Sequence, residues 1–310
     1  MGSGFVGRAF RMFYWTLSMA SGAESLSRES KPVTGIPWRG ILWFLLLLMV
    51  CYAPVLARLA RQWYDDQDMG HGFFVPVVAG YIAWKRKDEL LAVPAVPNWW
   101  GLAIVACGGL QLMVATLGAE LFLARSAFIL SLAGAVLTMG GWRWLRILAF
   151  PLFLLCFMVP IPAILYNQIT FPLQLIASQA AASAISLVGI PVLREGNILE
   201  LANQKLNVVE ACSGIRSLLS LSFLSLVYAW FFDKKVWMRW VLLAATLPIS
   251  IIANASRVTL TGIVSQYDPD LAGGIFHYLS GWVIFMVALA LLIAFHRAVN
   301  LAWGRTRGRS

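Results

Sequence analysis

The sequence predicts an all-α polytopic membrane protein, with about eight transmembrane helices, an interfacial helix on the outer face and a small β-hairpin. Of the 310 residues, 60% are hydrophobic and only 12% are charged, whereas soluble domains are about 45–50% apolar and about 25% charged. The apolar residues come in long runs, and basic residues cluster between the runs. This pattern excludes a soluble fold and indicates one membrane-embedded unit.

Nine hydrophobic segments follow one another along the chain, and a helix of about 20 mostly apolar residues can cross a bilayer. They are Ile41–Leu56, Phe73–Trp84, Trp99–Leu117, Leu121–Met139, Leu145–Val159, Ile164–Leu187, Cys212–Phe232, Val241–Val264 and Ile275–Phe295. We therefore expect a membrane domain over residues 41–296. Residues 1–40 and 297–310 are predicted to be basic cytoplasmic tails.

The segment Ile164–Leu187 is predicted to lie on the outer surface of the membrane instead of crossing it. Basic loops favour the cytoplasmic side, so the loops containing Arg146 and Lys234 should both be inside. An even number of crossings must separate them, but three segments lie between. Ile164–Leu187 carries the most Asn, Gln, Ser and Thr residues, and polar groups are costly in hydrocarbon. Eight crossings remain, with both termini inside.

The charge distribution agrees with this topology. The predicted inner face holds seventeen basic and five acidic residues, and the outer face holds seven basic and nine acidic residues. The net charge of +10 therefore divides into +12 inside and −2 outside. This imbalance indicates membrane orientation, and no nucleic-acid partner is expected.

A short extracytoplasmic region is predicted between the interfacial helix and the next span. Val192–Leu193, Ile198–Leu201 and Leu206–Val209 alternate apolar and polar residues around the turn sequences Gly196-Asn197 and Asn203-Gln204, which is typical of short strands. Together with the interfacial helix, this hairpin occupies residues 164–211.

Three chemically capable side chains fall at the outer rim. Cys212 begins the sixth span, Arg257 lies near the outer end of the seventh, and His277 begins the eighth. A helix N-terminus and a nearby cation such as Arg216 favour the nucleophilic thiolate of a cysteine. A histidine can take the thiol proton and return it to a leaving amine, and an arginine can stabilise an oxyanion. These are the groups that acyl transfer requires.

Other interpretations of these residues remain open. A lone cysteine in an apolar chain is usually structural, and Arg257 could extend only to the lipid headgroups. A transporter or polymer flippase would place ionisable residues at mid-bilayer in repeated halves, and no repeat is evident. A membrane polysaccharide ligase would use Arg257 and His277 without Cys212. The four cysteines lack zinc-ligand spacing, so no metal or cofactor is expected.

The segment Val208–Leu218 (VVEACSGIRSL) resembles the signature of the exosortase/archaeosortase family. Residues Asn254 to Arg257 are similar to its Asn-x-x-Arg motif, and His277 with Gly281 resembles its third motif. His71 with Gly72 is similar to an early His-Gly motif, and Leu193–Asn197 resembles the segment that precedes the cysteine. The resemblance extends from about Ile41 to Phe295.

The resemblance implies a cysteine protease/transpeptidase of the bacterial cytoplasmic (inner) membrane, of the PEP-CTERM-sorting, exopolysaccharide-associated kind. Its substrates would be exported proteins with a C-terminal signal, consisting of a Pro-Glu-Pro motif, a hydrophobic span and a basic tail. The enzyme would cleave at the motif through a Cys thioester and transfer the product to a cell-envelope acceptor. Some family members carry an extra extracytoplasmic domain, which a separate accessory protein is expected to replace here.

The resemblance also implies residue roles. Cys212 would be the nucleophile, His277 the general acid/base and Arg257 the stabiliser of the oxyanion or thiolate. Supporting roles are implied for four further motif residues, and candidate substrate contacts for two more. The supporting residues are Glu210, Ser213, Arg216 and Asn254, and the substrate contacts are His71 and Arg194.

Overall fold

The computed structural model describes residues 38–202, 204–208, 214–267 and 274–307, and these residues are mostly helical. The helices are α1 (Trp38–Asp65), α2 (Phe74–Lys85), α3 (Lys87–Leu91), α4 (Trp99–Leu117), α5 (Leu121–Leu154), α6 (Ala163–Leu187), α7 (Gly214–Phe232), α8 (Val236–Tyr267) and α9 (Gly274–Arg307). Two 3₁₀ helices, Gln67–Phe73 and Leu155–Met158, and three strands, β1 (Val192–Glu195), β2 (Ile198–Leu201) and β3 (Lys205–Asn207), complete the fold.

Within the described residues, five helical stretches are long and apolar enough to cross a membrane, so the chain is a multi-pass membrane protein. They are Arg39–Asp65, Trp99–Leu117, Leu121–Met158, Val236–Tyr267 and Leu279–Gly304. This number differs from the predicted eight for three reasons. Two predicted spans lie in one stretch, α2 is only 12 residues long, and the apolar part of α7 is a shorter helix, Leu218–Phe232. Helix α6 has 25 residues but is not among the five, which agrees with its polar composition.

The helix α5 is broken at Gly141. This residue has φ 73° and ψ −169°, a conformation that only glycine adopts readily. A straight helix over the 38 residues of this stretch would be about 57 Å long, nearly twice the hydrocarbon thickness of about 30 Å. Residues on both sides of the break contact the linker between α3 and α4 (residues 92–98). The N–H of Asn98 donates to Thr138 O (3.3 Å), and Trp144 Nε1 donates to Val93 O (3.5 Å).

Residues 142–158 connect the two ends of the helical bundle. At one end, Arg86 donates to the carbonyl of Ile147, and Arg239 lies over the ring of Phe150 at 4.8 Å. At the other end, Trp63 Nε1 donates to Met158 O (3.0 Å). We call the first the basic end, because Arg86, Arg143, Arg146 and Arg239 lie there.

The opposite end carries the small sheet, and we call it the sheet end. Helix α8 carries Arg239 in its first turn, at the basic end, and Gly262 lies 26 residues after its first residue, toward the opposite end. A Cβ on Gly262 would lie 2.8 Å from Ile185 Cδ1 and 3.4 Å from Leu206 Cδ1. Helix α6 and strand β3 therefore pack against the far half of α8. A buried apolar cluster joins these elements, formed by Ala181, Ile185, Leu199, Leu201, Leu206, Val208 and Val258.

The three predicted strand segments form one antiparallel sheet of order β1-β2-β3, so the structure adds a second strand pair to the predicted hairpin. Glu195 pairs with Ile198 across a tight turn in which Gly196 has φ 63°. The third strand extends the hairpin through the pairs Ile198–Asn207 and Glu200–Lys205. The buried leucines on one face of the sheet contribute to the cluster with α6 and α8, and this packing stabilises strands that are only three or four residues long.

A polar network at the basic end joins α7, α8 and α9. His296 Nε2 and Asn300 Nδ2 both lie 3.0 Å from Asp233 Oδ2, and the Lys235 N–H donates to Asp233 Oδ1. Burial alone would raise the pKa of Asp233, but the hydrogen bonds from Lys235, His296 and Asn300 outweigh this effect and lower it. The network fixes the turn between α7 and α8 against α9.

Glycines allow α4 and α5 to approach closely beside Tyr52 of α1. The Tyr52 hydroxyl lies 3.2 Å from Gly108 O, 3.1 Å from Ala127 O and 2.8 Å from Ser131 Oγ. A Cβ on Gly108 would overlap Ser131 Oγ. Small residues that permit close backbone approach are typical of membrane helix contacts.

We expect Gly108→Ala to destabilise the protein by about 1–3 kcal/mol, because the added methyl group overpacks this contact. The measurement is the thermal unfolding midpoint of the purified protein in detergent. Gly109→Ala is the matched control, since a Cβ on Gly109 meets no atom within 4 Å and alanine favours the helix. Equal midpoints for the two variants would contradict the packing described here.

Candidate active site

The buried guanidinium of Arg257 lies between α8 and α9 at the sheet end. The residue is 7% exposed and faces Gly281 of α9. A Cβ on Gly281 would lie 3.3 Å from Arg257 Nη2 and 3.4 Å from Cζ. The missing side chain at position 281 therefore leaves the space that the guanidinium occupies, and the two helices approach each other around this contact.

A crevice bounded by α7, α8 and α9 opens beside Arg257. Asn254 also lines it, and because it precedes Arg257 by three residues, the two side chains share one face of α8. This geometry explains the spacing of the Asn-x-x-Arg motif. The other lining residues are Leu221, Ser250, Ala253, Gly281, Ile284, Phe285 and Ala288.

The backbone of His277 lies in the first turn of α9, which begins at Gly274. His277 precedes Gly281 by four residues, so the two positions lie on one face of the helix, about 6 Å apart along its axis. Gly281 contacts Arg257. The helix therefore brings His277 to within one turn of the guanidinium, although its side chain lies outside the described part of the structure.

Cys212 lies outside the described residues, together with Glu210 and Ser213, and nothing is described of the Arg216 side chain on the first turn of α7. The described residues on either side of this segment belong to the surroundings of Arg257. Before it, Val208 is fully buried in the same cluster as Val258, the residue that follows Arg257. After it, helix α7 begins at Gly214, and its Leu221 lines the crevice.

The two candidate substrate-contact residues occupy different elements. His71 is half-buried in the 3₁₀ helix Gln67–Phe73, which contacts α7. A side chain on Gly72 would overlap Trp63, so this glycine lets the 3₁₀ helix fold back against α1. Arg194 is exposed on β1 and donates to Gly196 O (3.0 Å), a bond that closes the turn between β1 and β2.

The crevice includes Ser250 and Leu221, which motif analysis missed. Ser250 precedes Arg257 by seven residues, two helical turns, and the spacing Ser250, Asn254, Arg257 marks one polar stripe along α8. That stripe is visible in the sequence. The contribution of Leu221 is not visible there, because it depends on how α7 packs. Among the described residues, no group of His, Cys, Asp and Glu side chains could hold a metal ion.

Chemically, the arrangement provides a fixed positive charge with little access to water. A guanidinium stays protonated even when buried, and ionisable groups inside membrane segments are usually functional. Such a charge can stabilise a thiolate or an oxyanion that develops nearby.

The family model for the transmembrane exosortase matches residues 63–294 of the chain. The match covers about three quarters of the sequence and includes both the crevice and the segment around Cys212. No curated protein and no solved structure matches the chain.

We expect Gly281→Val to displace the Arg257 guanidinium and to destabilise the protein by about 1–3 kcal/mol, as overpacking of buried sites does. Gly304→Val on the same helix is the control, because nothing lies within 4 Å of a Cβ there. Thermal unfolding of both variants checks the prediction. A Gly281→Val protein as stable as the control would show that Arg257 does not occupy this position.

Proposed function

Because the chain belongs to the transmembrane exosortase family, we propose that it is a membrane cysteine transpeptidase. It cleaves a C-terminal sorting signal of exported proteins and transfers the new C-terminus to a cell-envelope acceptor. The observation that carries this proposal is the contact between buried Arg257 and Gly281, because it joins the helix that carries His277 to the surroundings of Cys212.

The proposed reaction proceeds through an acyl-enzyme. The Cys212 thiolate attacks the scissile carbonyl, and Arg257 stabilises the oxyanion of the tetrahedral intermediate. His277 takes the thiol proton and gives it to the leaving amine, which departs with the signal helix. A nucleophile of the acceptor then attacks the thioester, its proton passes to His277, and the released thiolate is ready for the next cycle.

Chain geometry supports the position proposed for Cys212. It lies two residues before Gly214 and four after Val208, and each residue spans at most about 3.6 Å. The thiol is therefore within reach of the N-terminus of α7, whose partial positive charge favours a thiolate. Because Val208 and Leu221 belong to the surroundings of Arg257, a thiol between them can reach the guanidinium.

We assign supporting roles to four further residues of the site. Asn254 shares the crevice with Arg257 and would hold the substrate backbone or the guanidinium. Glu210, Ser213 and Arg216 lie within four residues of Cys212 and would shape the loop that carries the thiol.

His71 and Arg194 are proposed as substrate contacts. The 3₁₀ helix that carries His71 packs against α7, the helix that follows Cys212. Arg194 is exposed on the sheet, where a substrate segment outside the membrane would pass.

We further propose eight membrane crossings, with the sheet end outside and both termini in the cytoplasm of a bacterium. The eight proposed crossings are α1, the stretch 67–85, α4, residues 121–140, residues 142–158, α7, α8 and α9. The C-terminal half of α6 stays at the sheet end, where Ser178 Oγ donates to Gly196 O. The arginines of the basic end then face the cytoplasm, as the positive-inside rule requires.

This topology suits a substrate that carries its own transmembrane helix. The helix would hold the scissile bond just outside the bilayer at the level of the crevice, and its basic tail would fix the orientation. Confinement to the membrane plane supplies proximity and orientation, which are large contributions to catalysis. A separate extracytoplasmic protein could assist in presenting the substrate.

We expect Cys212→Ala to abolish processing of a co-expressed substrate, with the rate falling at least about 10³-fold, because the nucleophile is lost. Immunoblotting of the substrate measures processing. Cys107→Ala is the matched control, since Cys107 lies on the exposed surface of α4, away from the crevice. Normal processing by Cys212→Ala would refute the thiol mechanism.

In the same assay, Arg257→Gln should lower the rate about 10²–10³-fold, because the oxyanion loses its positive partner.

We expect a membrane-impermeant maleimide added to intact spheroplasts to label Cys212 alone. Cys51, Cys107 and Cys156 lie within helical segments predicted to be in hydrocarbon, which an impermeant, water-soluble reagent does not enter. Mass spectrometry of the labelled protein gives the modified position. Labelling of Cys212 only after the membrane is broken would place the sheet end in the cytoplasm and contradict the topology.

A further inference from the structure

Two arginines from different elements converge on one helical turn at the basic end, far from the candidate active site. Arg86, between α2 and α3, donates through Nη1 to the carbonyl of Ile147. Arg239, in the first turn of α8, lies with its Cζ 4.8 Å from the ring centroid of Phe150. Ile147 and Phe150 are three residues apart and therefore share one helix face. The two positive charges are close enough to repel each other.

The acidic residues nearby do not balance both positive charges of this pair. Glu89 Oε2 accepts from Arg86 Nε (3.1 Å) and Nη2 (2.7 Å). The negative charge of Asp233 also acts on Arg239, but both Asp233 oxygens accept hydrogen bonds in the network with Lys235, His296 and Asn300. Within the described part of the chain, the buried Nε of Arg239 has no hydrogen-bond partner.

The surroundings of the pair are typical of the boundary between hydrocarbon and lipid headgroups. Exposed tryptophans lie nearby at positions 84, 142 and 240, and tryptophan is enriched at that level of a membrane. Further basic residues lie near the pair, or near Ile147, in sequence, and they outnumber the acidic residues of this end. They are Lys85, Lys87, Arg143, Arg146, Lys234 and Lys235.

We propose that Arg86 and Arg239 form a binding site for the phosphate of an anionic phospholipid headgroup. A phosphate between the two guanidiniums would offset their mutual repulsion and accept a hydrogen bond from the unused Nε–H of Arg239, whose planar fork matches phosphate oxygens. Arg86, whose fork already binds Glu89, would contribute its positive charge. Basic pockets between membrane helices bind anionic headgroups in this way. The bound lipid would tie the turn after α2, residues 142–154 and α8 together.

The site is independent of catalysis, so its test does not need a substrate. The full-length protein in detergent is titrated with dihexanoyl-phosphatidylglycerol, and the thermal unfolding midpoint reports binding. The zwitterionic dihexanoyl-phosphatidylcholine serves as the lipid control, and free glycerol 3-phosphate tests whether a soluble phosphate suffices. We expect only phosphatidylglycerol to raise the midpoint at the same concentration.

Variants locate the binding site. Arg239→Gln and Arg86→Gln should each weaken phosphatidylglycerol binding by about tenfold or more, since each loses a direct charged contact. Lys234→Gln is the matched control, because Lys234 is exposed and should lose at most about fivefold through general attraction. Arg239→Lys keeps the charge but not the fork, so it should bind more weakly than the native protein while remaining folded.

Three outcomes would overturn the proposal. An equal loss in Lys234→Gln and Arg239→Gln would show general surface attraction without a site. Equal protection by glycerol 3-phosphate would show a site for soluble phosphates. An Arg239→Lys protein that is folded by circular dichroism and binds as tightly as the native protein would show that the fork of Arg239 makes no contact.

Discussion

The contact between the Arg257 guanidinium and Gly281 is the interaction on which the sheet end depends. A buried charge in a membrane protein must be held by a specific environment, and here two long helices provide it by approaching closely at a glycine. The register of α9 against α8 follows from this contact. That register sets the position of the His277 backbone along the bundle axis. The packing of Val258, next to Arg257 in sequence, sets the position of the small sheet along the same axis.

A second constraint acts along the whole chain, because every backbone N–H and C=O group in hydrocarbon needs a hydrogen-bond partner within the protein. The break at Gly141 satisfies it by interrupting the helix where linker atoms lie close, with Val96 O next to the glycine. Close helix contacts at Gly101, Gly108 and Gly134 supply the van der Waals packing that associates membrane helices. The polar network around Asp233 and the Arg86–Arg239 pair then organise the basic end. The two ends thus have different polar chemistry, which fits a site at one end and membrane anchoring at the other.

Sequence reasoning predicted the features that follow from local composition. The polar residues of Ile164–Leu187 separated α6 from the span candidates, and period-two alternation located β1, β2 and β3. The sequence did not reveal that Leu121–Met139 and Leu145–Val159 form one interrupted helix, because Gly140 and Gly141 are equally compatible with a loop. It missed the Asp233–His296–Asn300 network, in which Asp233 meets residues more than 60 positions away. The neighbourhood of Arg257 could be predicted as a set of motifs, but its contact with Gly281 depends on tertiary packing.

The central claim is that Cys212 and His277 meet beside Arg257, and disulfide trapping tests it most directly. In a protein whose other cysteines are replaced by alanine, His277→Cys is oxidised under mild conditions and the bridge is detected by mass spectrometry. Disulfides require Cα atoms about 4.4–6.8 Å apart. The account predicts a bridge between Cys212 and position 277, and none with Val287→Cys, which lies about 15 Å further along α9. A bridge to position 287, or none to 277 while both thiols react with maleimide, would contradict it.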